Sequence, residues 1–310
     1  MTSRAIVRLS GLLLLVVAAP TCGPSGTAGT SGPEPAVDAV IVAAGDIADC
    51  SRTADDATGS SLDTIPGIVM ALGDNAYPDG TPADYANCYA PTWGRHKPRT
   101  RPVAGNHDYH TPGAAGYFGF FGASAGEPAK GYYSFTAGSW LVIVLNTGTD
   151  KPVNYEAGSA QELWLRNELG TRSQQCVLAV WHHPRFSTTV DRPAIRPAVT
   201  ALWNALYENG ADLVVNGHDH SYQRFAPQKP DGTADVEFGI RQIVVGTGGG
   251  EGLYDFAPVP PGSNLEVRNN DTWGVLKLTL KPGGYDWTFI RSAGGAFTDS
   301  GSGTCHGRPL

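Results

Sequence analysis

The sequence predicts an α/β fold of the mixed, α+β kind: two packed β-sheets with helices outside, in one domain. Three observations predict it. Short apolar runs recur without polar alternation, as strands buried on both faces do. Helical signals fall between those runs in the middle of the chain. The last third reads as strands separated by Gly/Pro turns, with little helix. Of 310 residues, 41% are hydrophobic and 16% charged, enough to bury a substantial core and to exclude global disorder. The 40 glycines and 23 prolines follow no Gly-x-y period, which excludes collagen and implies many turns.

The chain opens with an export-type leader over 1–22: Arg4 and Arg8, an apolar run from Leu12 to Ala19, then small residues. The run is too short to span a bilayer comfortably, and no other segment could cross one. Cys22 offers a lipid-attachment site as the alternative to cleavage. Residues 23–36 read as a flexible linker, and 37–310 as the folded domain, secreted or held outside the cytoplasm.

Val40-Ile41-Val42, Ile68 to Leu72, Val103-Ala104, Val177 to Trp181 and Leu213 to Val215 are the strand-like runs. Tyr132 to Phe135 and Trp140 to Leu145 form a hairpin around Ala137-Gly138. Ser159-Ala160-Gln161-Glu162 is a capping box opening a helix that stops at Gly170. Ile195, Val199, Leu202 and Leu206 share a helical face ending at Gly210. Ile240 to Val245, Trp273 to Leu280 and Tyr285 to Ile290 are strands. Gly246 to Gly250 follows a strand without opening a clear helix, so it reads as a turn and not a phosphate-binding loop.

The formal net charge of −7 argues against a nucleic acid as a stable partner, because such binders normally present a basic surface. Five cysteines become four once Cys22 is removed or lipidated. Four allow three disulfide connectivities, and short loop closure favours Cys50–Cys88 with Cys176–Cys305.

The strand-like runs end in residues that bind metal. The runs lead to Gly45-Asp46, Gly73-Asp74, Gly105-Asn106, His182-His183 and, through Asn216, Gly217-His218, with His220 two residues on. With His107 next to Asn106, five of the eight histidines lie in these motifs. Carboxylate, amide and imidazole donors without a thiolate suit Fe, Mn or Zn.

Asp46, Gly73 to Tyr77, Gly105 to Asp108, His182-His183-Pro184 and Gly217 to His220 resemble, in order, the five blocks of the calcineurin-like metallophosphoesterases. Within that superfamily they are most similar to the purple acid phosphatases, over residues 37–300. The resemblance implies a four-layer sandwich of two mixed β-sheets flanked by helices. It also implies two metal ions, one taking Asp46, Asp74, Tyr77 and His220, the other Asp74, Asn106, His182 and His218. Ala48 stands where many members carry a ligand histidine, and Tyr77 fills that place as a phenolate. A phenolate favours Fe(III) there, with Fe(II), Zn or Mn at the second position.

By the same resemblance a metal-bound hydroxide attacks the phosphorus of a small phosphorylated substrate, and His107 contacts phosphate and helps protonate the leaving group. Asp108 orients the His107 imidazole or is a turn residue. His183 faces substrate or supports the fold, and His110 lies near enough to reach substrate. Asp219 and Arg224 are expected to be structural. Tyr109, Tyr117, Phe118, Phe120 and Phe121 are expected to pack a loop. The expected activity is phosphomonoester hydrolysis. A phosphodiesterase acting on nucleotides or lipid headgroups is the alternative, and a non-catalytic surface binding module the third reading.

Overall fold

The computed structural model describes residues 37–148 and 153–307, so the leader, Cys22 and the linker lie outside the described residues. Two mixed sheets face one another. The first contains β1 (Ala39–Ala44), β2 (Ile68–Leu72), β3 (Thr100–Val103), β11 (Thr272–Lys281), β12 (Gly284–Gly294) and β13 (Asp299–Thr304), ordered β13-β12-β11-β1-β2-β3. The second contains β4 (Tyr133–Ala137), β5 (Trp140–Val144), β6 (Cys176–Val180), β7 (Leu213–Asn216), β8 (Tyr222–Gln228), β9 (Ile240–Val245) and β10 (Leu265–Asn269), ordered β10-β8-β9-β7-β6-β5-β4. β1, β2 and β3 run parallel, as do β5, β6, β7 and β9, and antiparallel strands complete each sheet.

Alternate residues of the central strands explain the unbroken apolar runs. Leu178 and Val180 of β6 point into the core between the sheets, with Ile41 and Leu276. Val177 and Ala179 point outward, joining Leu165 and Leu169 of α4 (Ala160–Thr171) and Leu202, Trp203 and Leu206 of α5 (Thr200–Glu208). On the far side, α1 (Ala54–Thr64) packs against β11 and β12. The short α2 (Pro82–Asp84) and α3 (Ala115–Phe121) lie between β2 and β4 in sequence, α3 within the aromatic packing of Tyr85, Tyr117, Phe120 and Phe121. The result is the four-layer order of helix, sheet, sheet and helix. Both expected disulfides are present: Cys50–Cys88 ties the loop before α1 to the helical turn Tyr85–Tyr89, and Cys176–Cys305 ties the first residue of β6 to the residue after β13, across the sheets.

Two helical expectations need correction. Ile195 is outside any helix; it pairs with Phe186 in an isolated bridge, and the helical turn begins only at Pro197. A proline confines the residue before it to extended backbone, and Arg196 adopts φ −82°, ψ 110°. α4 runs through Gly170 to Thr171, its last turn covered by Arg172, whose guanidinium donates to the Leu169 carbonyl at 2.7 Å. At its start Ser159 accepts from the Glu162 amide at 3.3 Å, but the Glu162 carboxylate accepts from Gly158 instead of the cap residue.

Candidate metal centre

Parallel strands deliver their C-terminal ends to one edge, where ligands of open sheets characteristically bind. Asp46 follows β1, Asp74 follows β2, Asn106 follows β3, His182 follows β6 and His218 follows β7. Three of these turns use left-handed backbone at a non-glycine residue: Asp46 at φ 60°, Asp74 at φ 49° and His218 at φ 69°. Such conformations are costly and collect at functional sites. The loops hold one another in place, with the Asp46 amide on the Gly73 carbonyl, Ile47 on Asp74, and Gly217 on His182 at 3.0–3.1 Å.

One group of donors forms around Tyr77. Its hydroxyl lies 3.2 Å from Asp46 Oδ1 and 3.0 Å from His220 Nε2, and that nitrogen lies 3.3 Å from the same carboxylate oxygen. His220 Nδ1 donates to the Gly252 carbonyl at 3.0 Å, which turns the Nε2 lone pair toward the group. The Gly250 amide donates to the Asp46 carbonyl, and a Cβ at Gly250 would stand 2.5 Å from the Tyr77 ring. The 246–250 segment is a turn whose alternate amides are spent on its neighbours: Gly246 donates to Ser221 and Gly248 to Gly45.

The second group centres on Asp74. Its Oδ2 lies 3.0 Å from His182 Nε2, while Oδ1 accepts the His107 amide at 2.7 Å. His182 Nδ1 donates to the Leu72 carbonyl at 2.9 Å. Asn106 Oδ1 is buried without a hydrogen-bond partner among the described residues. The His182 and His218 rings are 5.0 Å apart, and Asp46, Asp74 and His182 each offer a ligand atom within 4.8 Å of the others. Asp74 thus joins the two groups. Gly105 permits this approach, since a Cβ there would lie 2.1 Å from Asp74 Oδ1.

These donors fit cations. Metal–ligand bonds of about 2.0–2.1 Å place neighbouring ligand atoms about 3 Å apart, close to the spacing around Tyr77. Burial, reinforced by Asp46 and Asp74, pushes the Tyr77 phenol well above its ordinary value, so a phenolate there requires a cation. Burial opposes charge on both members of the Asp74–His182 pair, but their mutual attraction prevails: the carboxyl is held well below its usual range and the imidazole is raised to about 9. A shared positive charge is thus what this pair accommodates. Burial, then the neighbouring imidazoles, holds His183 and His218 well below the usual histidine value, with Arg192 and Arg196 adding to the effect. Both keep a lone pair.

The remaining expected residues divide. His107 Nδ1 donates to the Pro78 carbonyl at 2.6 Å, leaving Nε2 for another partner; its ring is 4.6 Å from Tyr77. Asp108 does not orient that imidazole. It is fully buried and accepts from the Gly105 amide at 2.8 Å, Asn75 Nδ2 at 2.9 Å and the Tyr85 hydroxyl at 2.6 Å, fixing the Asn106 loop from beneath. His183 Nδ1 contacts Thr147 Oγ1 at 3.1 Å, and its ring is 4.1 Å from that of His218. His110 pairs with Asp79 at the surface. Arg224 grips Asp299 with two nitrogens, linking β8 to β13. Asp219 is buried, with Arg192 Nε 3.6 Å away. Tyr117, Phe118 and Phe121 pack the core. The motifs gave no sign of Tyr254, which stacks on His220 at 4.1 Å and 6°, nor of the Leu72, Pro78 and Gly252 carbonyls that fix three imidazoles.

The family model described as calcineurin-like phosphoesterase matches residues 28–222. Purple acid phosphatase 15 of Arabidopsis thaliana is 25% identical over 54% of this chain and 38% of its own length. Purple acid phosphatase 13 of the same plant is 28% identical over 78% of this chain and 52% of its own. The chain therefore spans about half or less of the length of these curated relatives. In fold it resembles the purple acid phosphatase PPD1 of yellow lupin, with a TM-score of 0.66 and 19% identity over 87% of this chain and 55% of that one. A dimetal phosphatase from Danio rerio aligns with a TM-score of 0.57 and 15% identity over 88% of this chain and 100% of that one.

Proposed function

The chain belongs to the calcineurin-like phosphoesterases, and on that premise we propose that residues 37–310 form an exported phosphomonoesterase of the purple acid phosphatase type. The observation that carries this is the convergence of Asp46, Asp74, Tyr77, Asn106, His182, His218 and His220 on one strand-end edge, with Asp74 between two groups of donors. Asp46, Asp74, Tyr77 and His220 would hold one cation, Fe(III) by the preference of a phenolate. Asp74, Asn106, His182 and His218 would hold the other, Fe(II), Zn or Mn. The pair supplies Lewis-acid neutralisation of phosphoryl charge and a nucleophile usable at moderate pH.

The chain's own groups supply the rest. The Pro78 carbonyl can only accept a hydrogen bond, so it fixes a proton on Nδ1 of His107 and aims Nε2 away from the loop. When Nε2 is also protonated, it can donate to the departing alkoxide oxygen, which makes His107 the general acid. The bond from its amide to Asp74 sets the distance between that acid and the centre. Asp108 holds the loop that carries both Asn106 and His107. His183, beside His218, lies at the edge where a phosphoryl oxygen would bind.

Two disulfides support a location outside the reducing cytoplasm, in keeping with the leader-like sequence. Elemental analysis of the purified chain, paired with release of the aryl alcohol from an aryl monoester and its diester, tests the reading. Two metals per chain with faster monoester hydrolysis is expected. A metal-loaded chain that releases alcohol from neither ester, or faster from the diester, refutes it.

A further inference from the structure

Two other arginines of the fold show how such side chains are spent on structure. Arg185 donates to the Pro230 carbonyl at 2.8 Å and to Thr200 Oγ1 at 2.7 Å, and Arg99 closes over the Leu62, Ile65 and Gly67 carbonyls. Arg192 differs. Among the described residues its guanidinium has only two loose contacts: Nε lies 3.6 Å from Asp219 Oδ1, beyond hydrogen-bond distance, and the group sits 5.7 Å from the Tyr254 ring centre. Its donors are otherwise free. Both contacts place it beside the last histidine pair, because Asp219 separates His218 from His220 and Tyr254 lies flat on His220. An open groove of about 470 Å³ runs along this side between Val190–Arg192 and Leu253–Asp255. Arg192 is the one cation lining it, and no ion pair among the described residues joins it to Asp191 or Asp255 on the same walls.

We propose that Arg192 binds substrate by reading the additional negative charge of a phosphate monoester, and that the adjoining groove receives the ester's alcohol. This rests on the phosphomonoesterase reading and assigns its preference for monoesters over diesters to one residue. The physical distinction is charge and oxygen count. With a second pKa near about 6, a monoester carries close to two negative charges at neutral pH on three terminal oxygens. A diester carries one charge on two. Once two cations have engaged the phosphoryl group, the third oxygen of a monoester remains for a planar fork of N–H donors, the geometry that guanidinium supplies. Arg192 gives up only a long ion pair and a distant ring contact to reach it.

The test uses the metal-loaded chain at pH 7, comparing p-nitrophenyl phosphate with bis(p-nitrophenyl) phosphate for the native protein, Arg192→Ala and Arg192→Lys. Metal content is measured alongside. Arg192→Ala is expected to lower kcat/KM on the monoester roughly 10²-fold, the scale for removing one donor to a reacting anion. The diester should lose less than about threefold, and Arg192→Lys should restore part of the monoester rate. An equal or larger loss on the diester, or no loss on either ester, overturns the proposal while the phosphoesterase reading stands. If the alanine variant loses metal, the same ratio read on Arg192→Lys decides, a selective monoester loss supporting and an equal loss refuting. Absence of hydrolysis by the native, metal-loaded chain would instead overturn the reading beneath.

Discussion

Asp46, Tyr77 and His220 touch one another directly, with three donor atoms 3.0–3.3 Å apart, whereas around Asp74 only the His182 contact is of that kind and Asn106 Oδ1 has no partner. The charge count differs in the same direction. With a phenolate at Tyr77, the first group offers three negative donors including the shared Asp74. The second offers Asp74, an amide and two imidazoles. On the proposed assignment, the first group would suit a small, highly charged ion held tightly, and the second a softer ion held less firmly.

The largest expected effect strikes what the two groups share. Asp74→Ala should lose both cations and at least roughly 10⁴ in kcat/KM, the scale seen when one member of a catalytic unit is removed. Retention of two metals on elemental analysis would break the shared-carboxylate view. Next come the group-specific changes. Tyr77→Phe should abolish a broad visible charge-transfer band of the iron-loaded protein, while Asn106→Ala should preserve the band and lower only the content of the second metal. A band that survives in Tyr77→Phe would remove the basis for ferric iron.

Glycine probes sharpen the contrast without changing a ligand. Gly105→Ala would set a methyl 2.1 Å from Asp74 Oδ1, and Gly250→Ala one 2.5 Å from the Tyr77 ring. Each should cost about 1–3 kcal/mol of stability as overpacking. Gly105→Ala should reproduce the Asp74 phenotype in metal content, and Gly250→Ala that of Tyr77.

The smallest effect lies under the first group. The side chain of Thr58 in α1 donates to the Gly248 carbonyl, and Asp55 opens that helix with its carboxyl raised to about 6, chiefly by burial. A folded value above the unfolded 3.8 means the native state binds the proton more tightly, so this contribution is full below about pH 4 and lost as pH rises through 6. Asp55→Asn should thus be more stable than the native chain at pH 7, by about 1 kcal/mol after allowing for partial solvent screening, and equal to it at pH 4. Melting temperatures at the two pH values check the sign.

Asp46, Asp74 and His218 were legible because each follows an apolar run and a glycine, and the chemistry of a strand end is written in adjacent residues. Tyr77 was legible only as part of its motif. The supports were not. The Leu72, Pro78 and Gly252 carbonyls carry no side-chain signature, and Tyr254 reaches His220 from 34 positions away by chain path alone. Asp108 beside His107 suggested a pair, yet its carboxylate turns into the loop toward Gly105 and Tyr85. β13, written Asp-Ser-Gly-Ser-Gly-Thr, carries no strand pattern of its own; its place beside β12 comes from the partner strand. Ile195 fitted a helical stripe, but Pro197 decided where the helix could begin.

The donors at this edge come from both sheets: Asp46, Asp74 and Asn106 from the first, His182, His218 and His220 from the second. Any ion they share acts as a rivet through the seam. Neither half of the sandwich could assemble the proposed ligand set alone, so loading would be a checkpoint for completed folding. Prying the layers apart would then mean surrendering the cargo as well as exposing the core, and a loaded chain would resist proteases and heat beyond what its apolar packing provides.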